Sequence, residues 1–368
     1  MTDQSLPRRR AARTGDPEVD HQIEALLDAV GATANRDQLF DILSTAVLLA
    51  RDHTDRLDLK IASSALREMR AGFLVFTPHR AVPKVTMFGS ARTLPTDPLY
   101  RQARDLASTL AGHGWSTVTG AGPGIMAAGL EGAGPDHSFG INIELPFEAE
   151  PNEFIAANPN LVSMKYFFTR KLLLVKESDG FVVLPGGFGT LDEEFELLTL
   201  LQTGKAAPAP LVLLEVPGGT YWQAWEHWIT TEVAPRGLIN AEDLNLYRIT
   251  DNVDDAAGEI LGFYRNYHSL RFFGHTLVIR LRSQPTAAEL AELSAQFADL
   301  APDGGLTALG APLPAEARED DHPDLPRIAL RFRRIFYGRL RLLIDALNAL
   351  PSAPPPAAVT GGEGFSQR

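Results

Sequence analysis

Apolar positions recur every three or four residues over about 16–75, and beyond that they form short unbroken runs, several of which end in glycine. In the first stretch Ile23, Leu26, Leu27 and Val30 share one helical face. Leu39, Ile42, Leu43, Ala46 and Leu49 share another within 37–51, and a third helix is expected over about 57–69. Neither Gly nor Pro interrupts these segments, and nothing in them reads as chemistry, so packing or dimerisation is their expected role.

From Lys84 the pattern alternates. Strand 84–88 ends in Gly89-Ser90 and is followed by a helix over 98–113. Strand 116–119 ends in Gly120-Ala121-Gly122-Pro123-Gly124 and is followed by a helix over 125–132. Strand 138–143, a helix around 163–176 and strand 180–184 follow. Then come the turn Pro185-Gly186-Gly187-Phe188-Gly189, a helix over 191–202 and strand 210–215. Strands alternating with helices predict an α/β fold, a Rossmann-like doubly wound parallel sheet covered on both faces with right-handed connections. After about residue 269, alternating strands at 276–281 and 327–332 and helices at 286–300 and 337–347 predict a small α+β appendage. Its Pro- and acid-rich segment, about 302–326, is expected to loop out. The expected organisation is a disordered basic arm (1–15), a helical N-terminal extension (16–83), the Rossmann-like core (84–268), the appendage (269–350) and a disordered Pro/Ala/Gly-rich tail (351–368).

Composition narrows the function classes. A net charge of −12 argues against general nucleic-acid binding. With no cysteine, disulfides, thiolate metal sites and cysteine nucleophiles are excluded. Nine histidines show no ligand spacing, and neither a metal nor a cofactor is expected. No run of 18 apolar residues is present, so no membrane partner is expected. Arg8, Arg9, Arg10 and Arg13 are not followed by an apolar stretch, unlike a signal peptide. A cytoplasmic protein is the expectation. In the appendage Arg327, Arg331, Arg333, Arg334, Arg339 and Arg341 read either as solvated alternating positions or as a basic patch.

The candidate chemistry lies where glycines follow strands, at the carboxyl ends where open α/β sheets bind ligands. Pro185 to Glu194 joins an apolar strand to an amphipathic helix through three glycines and Thr190. Such a turn offers backbone N–H groups and a helix dipole to an anion, and acidic residues follow at once. The structural alternative is a capping box, Thr190-x-x-Glu193. Arg170 and Lys171 can likewise be solvated helix charges. Gly120-x-Gly122-x-Gly124 has the wrong spacing for a dinucleotide fingerprint, and Glu144 is the nearest candidate for its acidic partner.

Met164-Lys165-Tyr166-Phe167-Phe168-Thr169-Arg170-Lys171, followed by Pro185-Gly186-Gly187-Phe188-Gly189-Thr190-x-x-Glu193, resembles the LOG (Lonely Guy) family of cytokinin riboside 5′-monophosphate phosphoribohydrolases and related nucleotide nucleosidases. The likeness covers about 60–265 and extends to Gln202-Thr203-Gly204-Lys205. It implies hydrolysis of the N-glycosidic bond of an AMP-like nucleoside 5′-monophosphate, cytokinin nucleotides among the candidates, to free base and ribose 5-phosphate. Glu193 and Arg170 are the implied catalytic pair. Gly186, Gly187, Gly189 and Thr190 would cradle the 5′-phosphate. Lys171, Met164, Gly89, Ser90, Gly120, Gly122 and Gly124 complete the candidate substrate contacts. The resemblance also implies a homodimer or higher homo-oligomer. Family members have been labelled lysine decarboxylases, yet nothing here reads as a pyridoxal phosphate site. The rival expectation is a carrier on the same fold that binds a nucleotide or pterin cofactor without cleaving it.

Overall fold

The computed structural model describes residues 13–144, 150–301, 304–317 and 322–355. The expected basic arm (for 1–12) and tail (for 356–368) lie outside the described residues. The chain divides into two compact units, Met1–Arg67 and Glu68–Arg368. In the first, α1 (Pro17–Ala29) and α2 (Arg36–Arg51) pack Ile23, Leu27 and Phe40 together. Asp16 caps α1 by accepting from the N–H groups of Glu18 and Val19. Thr14 is already ordered, its N–H and hydroxyl both donating to Asp20. Helix α3 (Arg56–Phe76) crosses the boundary at residue 68.

The second unit holds a seven-stranded sheet. Its elements run β1 (Lys84–Phe88), α4 (Pro98–Gly112), β2 (Ser116–Thr119), α5 (Ile125–Ala133), β3 (Ser138–Ile143), β4 (Leu161–Met164), α6 (Phe167–Lys176), β5 (Gly180–Val183), α7 (Phe188–Gln202), β6 (Leu211–Leu214), α8 (Tyr221–Trp228), β7 (Arg248–Thr250) and α9 (Val253–Phe263). Every pair is parallel, in the order β4-β3-β2-β1-β5-β6-β7. The order reverses between β1 and β5, and that switch point is where such sheets open a crevice. The Rossmann-like class expected from the sequence is therefore the fold observed.

Side chains alternate between two cores, as the period of two in a strand requires. Val85, Met87, Val182, Leu184, Val212 and Leu214 face one layer, filled by Leu106 and Leu110 of α4, Ile125 of α5 and Ile260 of α9. Phe88, Phe181, Val183, Leu211 and Leu213 face the other, filled by Leu173 of α6, Leu197 and Leu201 of α7, and Trp222 and Trp225 of α8. The strands read as unbroken apolar runs because both faces are covered.

Three departures from expectation bear on the site. Strand β4 takes in Ser163 and Met164, the expected start of the helix around 163–176. Its four residues are too few for periodicity to distinguish, and α6 begins only at Phe167. Helix α7 begins at Phe188, ahead of the expected Leu191, with Gly187 as its N-cap and no side-chain cap. Thr190 thus lies inside the first turn, and the Thr190-x-x-Glu193 capping box does not form.

The appendage is a four-stranded antiparallel sheet, β10-β11-β9-β8, built from β8 (Tyr267–Phe273), β9 (Thr276–Leu281), β10 (Thr307–Leu309) and β11 (Arg327–Arg331) with α10 (Ala287–Gln296) and α11 (Tyr337–Ala349). Leu277, Ile279, Leu340 and Leu343 join the core formed by α4, α5 and α9, so this sheet is continuous with the Rossmann layer. The 302–326 segment does not simply loop out, because it supplies β10 and the buried Glu316. Glu316 sits between Arg280 Nε (2.9 Å) and Arg327 Nη1 (2.8 Å). Arg341 pairs with Glu259 and Asp345, and Arg339 with Asp299. Arg334 donates to the Gly274 carbonyl. Arg327, Arg334, Arg339 and Arg341 are thus committed to partners on different elements, while Arg331 and Arg333 are exposed.

Candidate active site

Three loops at the carboxyl ends of β1, β2 and β5 are tied together by backbone hydrogen bonds. Ser90 N–H donates to Pro185 O (3.3 Å), and Ile125 N–H donates to Ser90 O (3.1 Å). Gly124 has φ +68°, and a Cβ there would run into the backbone at Ser90 and Ala91, so only glycine permits the approach. The second loop is also held from outside: Asn152 Nδ2 donates to the carbonyls of Ala121 (2.9 Å) and Gly122 (2.8 Å).

Around these loops lies a cavity of about 790 Å³. Gly89, Ser90, Gly120, Arg170, Lys171, Gly186, Gly187, Gly189, Thr190 and Glu193 all line it. Met164, Gly122 and Gly124 do not. Met164 is fully buried in β4, Gly122 packs toward Met126, and Gly124 is spent on the loop contact just described. The sequence reading missed Tyr221, Phe167, Phe188 and Met126 as wall residues. Phe188, 94% exposed, stands at the rim. Tyr221 lies on α8, well beyond the motif in sequence, and no local pattern marks it.

Helix α7 brings two kinds of chemistry to the cavity. Its first turn carries N–H groups that no side chain caps, a ready seat for an anion. Little more than a turn later comes Glu193. Burial raises its pKa from 4.5 to about 7, against the pull of Arg170 and Lys171. Arg170 is buried at the carboxyl ends of β2 and β3, where Nε donates to Ile141 O (2.9 Å) and Nη2 to Gly120 O (3.3 Å). It interacts with Glu193 through its charge, with no direct ion pair among the described residues. The N-terminal end of α6 is held by Glu68, which accepts from the Thr169 hydroxyl (2.5 Å) and Tyr166 N–H (3.3 Å). Lys171 reaches across to α7, with Nζ 2.6 Å from Asp192 and 2.9 Å from Glu196. That engagement leaves its amine braced between carboxylates.

Glu194, the next residue, points the other way into the core. It is fully buried, neither carboxyl oxygen has a hydrogen-bond partner, and burial pushes its pKa up to about 8. The arrangement as a whole can bind an anionic group at the start of α7 and hold a carboxyl of near-neutral pKa close to whatever that group is attached to.

Comparison with known proteins gives concordant results. A family model described as possible lysine decarboxylase matches residues 123–260. The cytokinin riboside 5′-monophosphate phosphoribohydrolase of Mycobacterium tuberculosis is 28% identical over 162 residues, covering 43% of this chain and 83% of that protein. A protein of the same description from Arabidopsis thaliana is 32% identical over 121 residues, covering 32% of this chain and 54% of its own. Among solved structures, the molybdenum cofactor carrier protein of Chlamydomonas reinhardtii aligns at 21% identity and a TM-score of 0.34, over 48% of this chain and 94% of its own. The matched segment, residues 123–260, carries the Arg170-Lys171 pair and the Pro185–Glu193 motif by which the sequence resembles the LOG family.

Proposed function

We propose that the protein hydrolyses the N-glycosidic bond of an AMP-like nucleoside 5′-monophosphate. One observation carries this reading: a single helix, α7, supplies uncapped N–H donors at residues 188–190 and a cavity-facing carboxyl at Glu193. Residues 189 and 193 are about 6 Å apart along the axis, a spacing that a ribose can bridge between its phosphate and its anomeric carbon.

In this reading the 5′-phosphate sits at the start of α7 and the sugar lies over Glu193. As the base departs with the bonding electron pair, positive charge develops on C1′ and the ring oxygen. The ionised Glu193 stabilises that charge and orients the attacking water. Water supplies a hydroxyl to C1′ and a proton to the base, giving free base and ribose 5-phosphate. Arg170, fixed by two carbonyls, keeps the carboxyl ionised more readily than burial alone allows. Binding of the remote phosphate is converted into orientation of the sugar. The names of the mycobacterial and plant relatives agree with this activity.

We also read the protein as a homo-oligomer. Phe167, Phe168 and Leu172 on α6 are exposed apolar residues, and Phe167 also lines the cavity. The test of activity is base release from AMP, GMP, CMP, UMP, IMP and N6-prenylated AMP. Equimolar adenine and ribose 5-phosphate from AMP are expected. Binding of AMP without product would replace this reading with the non-hydrolysing carrier.

A further inference from the structure

Beyond the motif itself, the phosphate loop is held by a residue from another helix. The Tyr221 hydroxyl donates to the Gly186 carbonyl oxygen at 2.7 Å. In a planar trans peptide the C=O and the following N–H point in opposite directions. Holding the Gly186 carbonyl toward α8 therefore turns the Gly187 N–H away from it. The free orientation of a Gly-Gly peptide is lost, and one donor of the loop is set before any ligand arrives.

Tyr221 is itself placed by a dedicated device. Glu215, at the end of β6, folds back over the turn 216–220 and accepts from Tyr221 N–H (2.8 Å) and Trp222 N–H (3.4 Å). Its negative charge lies at the positive end of α8. A Cβ on Gly219 would overlap the Glu215 side chain, so a larger residue there would displace the carboxylate from its place over the turn. The Tyr221 ring packs edge-on against Trp222 at 4.8 Å between centroids. Burial raises the phenol's pKa, so it remains a donor across the assay range.

We propose that Tyr221 is a positioning residue for the 5′-phosphate, acting through the Gly186–Gly187 peptide and aimed by Glu215. The inference rests on the Pro185–Thr190 loop being the phosphate seat, and its test separates the two. Ribose 5-phosphate binding is measured by calorimetry, and AMP and adenosine turnover by base release, for wild type, Tyr221→Phe and Glu215→Gln. Loss of one neutral hydrogen bond is expected to weaken ribose 5-phosphate binding and raise KM for AMP by about two- to tenfold. Turnover of adenosine, which has no phosphate, should fall by a clearly smaller factor than that of AMP. A merely structural role would lower both substrates together.

Glu215→Gln keeps the phenol but loosens its helix. It should shift the phosphate-dependent values in the same direction by less, and it decides the matter if Tyr221→Phe does not fold. Wild-type affinity for ribose 5-phosphate in the folded variants would overturn the proposal. Failure of the wild type itself to bind ribose 5-phosphate would overturn the reading of the loop, and the inference with it.

Discussion

The pH dependence of base release exposes the role of Glu193 most sharply. Burial raises its carboxyl from 4.5 to about 7, a preference of roughly 3 kcal/mol for the neutral form. Catalysis as proposed needs the ionised form. In the free protein about half the sites are competent at pH 7 and about a tenth at pH 6, so kcat/KM for AMP should fall about tenfold per pH step below 6. Arg170 opposes the shift, so Arg170→Met should move this acid limb to higher pH as well as lower the plateau. Glu193→Gln keeps the shape, removes the charge, and should reduce kcat by about 10²–10⁴ with the acid limb abolished. The assay is adenine release from AMP between pH 5 and 9, with melting curves to establish that each variant is folded. An acid limb near 4.5, or one near 7 that persists in Glu193→Gln, would refute the assignment.

Three further outcomes follow from the same physics. Glu194 is neutral in the folded chain up to about pH 8 but ionises near 4.5 when unfolded, so unfolding releases a proton in that window and stability falls as pH rises. Glu194→Gln should match wild type at pH 5 and exceed it by a few kcal/mol at pH 8.5 in urea unfolding; a gap independent of pH would count against this. Glu316→Ala removes the carboxylate shared by buried Arg280 and Arg327 and should cost about 3–5 kcal/mol, read as a lower melting temperature, whereas Asp299→Ala, at an exposed pair, should cost under about 1 kcal/mol. Phe168→Asp should shift the protein toward a monomer in light scattering; an unchanged mass would exclude this face of α6 from the interface.

The sequence was most legible where burial on both faces left apolar runs bounded by glycine, as in β1, β2, β3, β5 and β6. It was silent on β7, whose three residues Arg248–Thr250 are partly exposed and follow no period. The start of α7 was misplaced because its N-cap is Gly187 rather than a Ser, Thr, Asp or Asn, so Gly-Phe-Gly read as loop when it already carries the helix. That missing side-chain cap is also what leaves the N–H groups free for an anion. Glu193 and Arg170 were visible because they sit in one contiguous motif region. Tyr221, Asn152 and Glu68 were not, since each reaches the site from a separate element through only one or two hydrogen bonds. The arginines of the appendage, left open between solvated positions and a basic patch, show a further limit. Their partners, Glu259, Asp299 and Glu316, lie on other elements, so a cluster in sequence is dispersed in space.

A crystal structure of Glu193→Gln with AMP tests the central claim most directly. The account predicts the phosphate on the N–H groups of residues 187–190, with the side chain at 193 facing the anomeric carbon. A nucleotide seated away from the start of α7, or a ribose turned from position 193, would contradict it.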